Sequence, residues 1–160
     1  MPQRHAGFCV IPAKEIDRTR TEGYHLVVIV TAPHADHAAL QAARAADLVA
    51  IPCRPSTFDI AAISATLDLS KLANKQSVII LNAAPIRSRV TTEAVDAITE
   101  KGGKVSPVII HQRVAFQHCM IDGRTAGKFE PDANMQDIND WFAKEGPPRF
   151  DAEAPATRLT

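Results

Sequence analysis

The chain has little that declares its chemistry. Its three cysteines (Cys9, Cys53, Cys119) include no CxxC pair, and an odd, scattered set argues against a disulfide framework. Lys+Arg 18 equals Asp+Glu 18, a formal net charge of +0. No net field therefore draws it towards nucleic acid or an anionic membrane, although a local basic patch stays open. No apolar run approaches bilayer length, and Met1-Pro2-Gln3-Arg4-His5 lacks the apolar core of a signal peptide. The expectation is a cytoplasmic protein with no membrane partner. The seven glycines form no phosphate-cradling loop between a first strand and a first helix. Gly123-Arg124-Thr125-Ala126-Gly127-Lys128 resembles one, but its glycines stand one residue too close and Phe129 replaces the magnesium-binding Ser or Thr. It reads as a solvated turn.

What is present is alternation. Leu26 to Pro33 and Leu48 to Pro55 are short apolar runs ending in turns, separated by a helical stretch. That pattern predicts strand, helix and parallel strand, with both strands buried on two faces. Phe8 to Ile11 reads as a short strand ended by Pro12, followed by a helix from Ala13 that stops near Gly23. Asp36 to Ala46 is an alanine-rich helix. Ile51-Pro52 closes the next strand, and Thr57 or Asp59 can cap a helix carrying Ile60, Ile63, Leu67 and Leu69 to Leu72. Ser77 to Leu81 is a buried strand, and Thr91-Thr92-Glu93 opens a helix ending at Gly102-Gly103. Val105 to Ile110 is a further strand whose Pro107 suits an edge or a strand end. Helices over Arg113 to Ile121 and Asn134 to Lys144 complete the pattern. Residues 1–145 form the expected single α/β domain, and 146–160 a polar tail.

Few residues point to a reaction. His34 and His37 stand at i and i+3 near a helix start, without a third metal ligand at recognisable spacing. His111, His118 and Cys119 fare no better, and Cys53 reads as a small buried residue at a strand end. No local signature supports a serine or cysteine nucleophile. The basic residues Arg87, Arg89, Arg113, Arg124 and Lys128 form a candidate phosphate-contacting set, since guanidinium groups suit bidentate contacts. An ordinary charged surface is the simpler reading of the same residues. No zinc finger or other sequence-reading DNA motif accompanies them.

Five stretches, Leu26–Pro33, Ala42–Pro55 (AARAADLVAIPCRP), Ser56–Leu72, Val78–Pro85 (VIILNAAP) and Val108–Arg124 (VIIHQRVAFQHCMIDGR), occur in an order that resembles the ParA/MinD-type deviant P-loop ATPases. The likeness is greatest to the ParA proteins that partition plasmids and chromosomes, and spans residues 8 to 145. It implies a three-layer α/β/α sandwich with a mostly parallel sheet. For the full-length family it implies an ATP- and magnesium-dependent dimer that binds DNA nonspecifically and answers to a ParB-type partner. The family's lysine-bearing KGGxGKT loop, its leading strand and an early hydrolytic aspartate have no counterpart here. Where the family reads IDTPP, this chain reads Ile29-Val30-Thr31-Ala32-Pro33. Val30 holds the position of an aspartate that helps anchor the magnesium hydration shell, and an isopropyl group accepts no hydrogen bond.

By this resemblance Thr31 and Asn82 are residual nucleotide-site positions, Asn82 near the base. No catalytic residue, metal or bound cofactor is expected, and no independent ATP hydrolysis. The expected role is partition through DNA or protein contacts, as a homodimer or paired with an intact ParA. Loss of the leading strand predicts unpaired sheet backbone, filled by Phe8–Ile11, by closure of the sheet or by a second molecule. Two further readings stay open: a fragment of a longer ParA ATPase, and a ligase-like enzyme acting on a small molecule.

Overall fold

The computed structural model describes residues 27–32 and 36–121. The expected strand at Phe8–Ile11, the two helices predicted at either end of the chain, Pro33, His34, Arg124 and Lys128 lie outside them, as does the tail. The described chain is α/β: α1 (His37–Ala45), β1 (Val49–Cys53), α2 (Thr57–Leu72), β2 (Ser77–Leu81), α3 (Arg89–Glu100) and α4 (Val114–Ile121). Among the described residues no helix is long and apolar enough to cross a membrane.

β1 and β2 pair in parallel, with Val49 opposite Ser77 and Cys53 opposite Leu81. Helix α2 connects them, as a parallel crossover requires. Residues 104–112 extend the ladder on the far side of β2. Ile79 donates to Lys104 O at 2.8 Å, and Ser106 N–H returns to Ile79 O at 2.8 Å. Only isolated parallel bridges form there, Ile79 to Val105 and Ala84 to His111, so the strand expected over Val105–Ile110 is broken. Val108 N–H, next in line to bond β2, turns instead to Ser106 Oγ at 3.1 Å. Pairing resumes where Ile110 N–H donates to Leu81 O at 2.9 Å.

The core gathers Ile51 and Cys53 of β1, Ile63 and Leu67 of α2, Ile79 and Leu81 of β2, and Ala94 and Ile98 of α3. In α2 the buried positions recur at i and i+4, the spacing that places them on one face. Helix starts fall where a side-chain oxygen meets an orphan N–H. Asp36 Oδ1 accepts from Ala39 N–H at 2.9 Å. Ser56 Oγ, not Thr57 or Asp59, accepts from Asp59 N–H at 3.2 Å. Helix α3 begins at Arg89, ahead of the expected Thr91, because Ser88 accepts from Val90 N–H at 3.3 Å. It ends as expected: Gly102 takes φ +76, and Gly103 N–H returns to Ile98 O at 3.0 Å.

Three further expectations need correction. Residues 27–32 form no strand: Val28 is 73% and Val30 88% exposed. A β-branched run has the propensity, but a strand exists only against a neighbour's backbone. Nor is β1 buried on both faces, since Ile51 and Cys53 point inwards while Ala50 and Pro52 are exposed. The strand also runs through Pro52 to Cys53 rather than ending there. The alternation follows from the two-residue period of a strand. The three-layer sandwich reaches beyond these elements; what stands is a small parallel sheet with helices.

Candidate functional site

A cleft of about 340 Å³ opens at the carboxyl ends of β1 and β2, lined in part by Cys53, Arg54, Asp59, Ile63, Thr66 and Asn82. This is where open parallel sheets usually receive ligands, and the volume reaches the lower range of small-molecule sites. Each lining residue has a local reason to be there. Arg54 follows the last residue of β1, and Asn82 the last of β2. Asn82 N–H continues the ladder to Cys53 O at 2.8 Å, which fixes the two strand ends side by side. Asp59, Ala62, Ile63 and Thr66 share one face of α2 by their three- and four-residue spacing.

Asn82 Oδ1 accepts from Ala83 N–H at 2.9 Å. That bond orients the amide and leaves its NH₂ as the remaining donor of an exposed side chain. Ala83 takes φ 51 and Arg87 φ 55, left-handed values uncommon outside glycine. The loop leaving β2 is thus held in a defined, strained course. Cys53 is buried, its Sγ donating to Arg54 O at 3.2 Å. Burial pushes its thiol pKa up, and the negative charge of Asp59 adds to the rise. A thiol kept neutral in this way is a poor nucleophile.

The sequence-derived candidates divide. Asn82 lines the cleft, whereas Thr31 does not and stands exposed in the irregular segment. Val30 is likewise exposed. Arg87 and Arg89 are exposed on either side of Ser88, and Arg113 is half-buried just ahead of α4. The backbone ties their segments together at one end of the sheet. Ala84 donates to Ile110 O at 3.0 Å and Gln112 to Ala84 O at 2.9 Å. His111 Nδ1 stands 3.3 Å from Ala84 O, within reach to donate to it. Arg87, Arg89 and Arg113 therefore occupy neighbouring segments although the sequence separates them.

Sequence reasoning missed Arg54, Asp59 and Thr66. Their signal was available: a strand-end arginine, and polar residues spaced at i and i+7 along α2, on the face that also carries Ile63. Among the described residues, no group of three or more His, Cys, Asp or Glu side chains can hold a metal ion. His37 is exposed, its Nε2 3.3 Å from Gln41 Nε2. No protein-family model, curated protein or solved structure matches this chain.

Proposed function

We propose that this chain is a ParA-like plasmid or chromosome partition protein that works through contacts with DNA and with protein, without hydrolysing ATP by itself. The observation that carries the DNA part is the convergence of Arg87, Arg89 and Arg113 on adjoining segments, joined by the hydrogen bonds of Ala84 with Ile110 and Gln112. Exposed guanidinium groups such as those of Arg87 and Arg89 contact phosphates without reading bases, which suits nonspecific binding. A chain with a formal net charge of +0 needs such a local concentration, because no overall field assists it.

Support for the absence of hydrolysis comes from the sequence. The 160 residues contain no glycine–lysine phosphate loop, and Val30 stands where the resembled family carries its magnesium-anchoring acid. Residual affinity at Asn82 reaches at most a base-sized group; the phosphates, which dominate nucleotide positioning, find no cradle.

The test is fluorescence anisotropy with a short duplex of arbitrary sequence across 50–200 mM salt. Changing Arg87 and Arg89 together to alanine removes two phosphate contacts, so the log–log salt slope falls by about 2. An unchanged slope and affinity would reject the DNA reading.

A further inference from the structure

Two unpaired features of the described residues complement one another. The first is the outer edge of β1. In a parallel ladder the N–H and C=O of one residue face one neighbour, and those of the next residue face away. Val49 N–H donates to Gln76 O at 3.0 Å and Cys53 O accepts from Asn82 N–H at 2.8 Å. Val49, Ile51 and Cys53 therefore face β2, and Ala50 and Pro52 turn their backbone outwards. The edge presents one donor, Ala50 N–H, and the carbonyls of Ala50 and Pro52. Among the described residues no strand pairs with them. No lysine blunts this edge, the usual protection of an exposed strand; the proline alone interrupts it.

The second feature is Val27-Val28-Ile29-Val30-Thr31, five consecutive β-branched residues outside any ladder. We infer that the outer edge of β1 is a strand-addition site whose occupant is the Val27–Thr31 segment of a second copy of this chain, exchanged reciprocally in a two-fold dimer. Pairing Val28 with Ala50 and Val30 with Pro52 sets four exposed apolar side chains on one face. It also sets half-buried Ile29 beside buried Ile51 on the other. In that register Ala50 N–H donates to Val27 O, Ile29 N–H to Ala50 O and Thr31 N–H to Pro52 O. Every outward group of β1 between Ala50 and Pro52 is then satisfied; Pro52 has no N–H, so the Ile29 carbonyl that faces it is left to solvent.

A second copy is favoured over a foreign strand because the chain itself carries the complementary segment. Two-fold symmetry lets each copy give one strand and receive one. The inference stands apart from the DNA reading, since neither Arg87 nor Arg89 belongs to this edge.

The test is the mass of the full chain by light scattering and sedimentation between 10 and 100 μM. The expected result is twice 17.3 kDa. Ala50→Pro deletes the outward donor and leaves the Val49, Ile51 and Cys53 bonds to β2, so it should give the single-chain mass with the helical circular dichroism retained. Val28→Lys with Val30→Lys, in a segment that joins no ladder, should do the same and decides the matter if Ala50→Pro unfolds. Hydrogen exchange should show slow amides at Ala50, Ile29 and Thr31 in the dimer and fast ones in both variants. A monomeric native chain overturns the inference, as does a dimer that survives both changes. Slow exchange at those amides in a monomer also overturns it, because the segment would then pair within its own chain.

Discussion

Cys53 and Gly103 show how much single atoms decide in a sheet this small. The Cys53 thiol is buried in the strand core and its pKa is raised, first by burial and then by Asp59. Because the folded value exceeds the unfolded one, its contribution is intact below the unfolded thiol value, about 8.5. It is lost as the pH rises through the folded value. Urea midpoints measured from pH 7 to 10 should therefore fall more steeply for the native chain than for Cys53→Ala; parallel curves would refute the shift. At Gly103 an added Cβ would lie 2.5 Å from Ile79 Cδ1 and 2.8 Å from Ile98 Cγ2. Both isoleucines are wholly buried, so neither can yield cheaply. Gly103→Ala should cost about 1–3 kcal/mol by overpacking, seen as a lower thermal midpoint.

At the scale of elements, caps and edges matter more than propensity. Ser56 sets the start of α2 through its bond to Asp59 N–H, and α2 carries Asp59, Ile63 and Thr66 into the cleft. Ser56→Ala should cost about 1 kcal/mol and loosen that wall of the site. Ile98 binds α3 to the core at 0% exposure, so Ile98→Ala should cost about 2–5 kcal/mol; chemical denaturation measures both. Pro52 is compatible with β1 only because its absent N–H faces away from β2. Pro107 also falls at an outward position, because Lys104 O and Ser106 N–H face Ile79 of β2, and the ladder lapses where Val108 N–H turns to Ser106 Oγ. Both prolines sit where a missing N–H costs β2 nothing, and a serine hydroxyl, not a proline, interrupts the second pairing.

At the scale of the molecule, the cleft and the three arginines share the end of the sheet where β2 runs out, but they ask for different ligands. Calorimetric titration of the 160-residue chain with ATP and magnesium should release no binding heat attributable to a triphosphate, and magnesium-dependent turnover should be absent. Measurable turnover would overturn the reading of Val30. The proposed DNA contact is independent of this outcome, since Arg87 and Arg89 need no nucleotide to remain exposed.

The sequence alone determined the alternation of helices and parallel strands, the positions of α1, α2 and β2, the stop of α3 at its glycines, and Asn82 at a strand end. These are local matters: apolar period, capping chemistry and the conformational freedom of glycine act over a few residues. Only the tertiary structure decided that residues 27–32 stay outside the sheet, that β1 has an exposed face, and that Arg54, Asp59 and Thr66 meet Asn82. It also decided that the Arg87 and Arg113 segments adjoin. Each of these depends on which backbone lies beside which, and strand pairing joins residues far apart in the chain, where no local pattern records the partner.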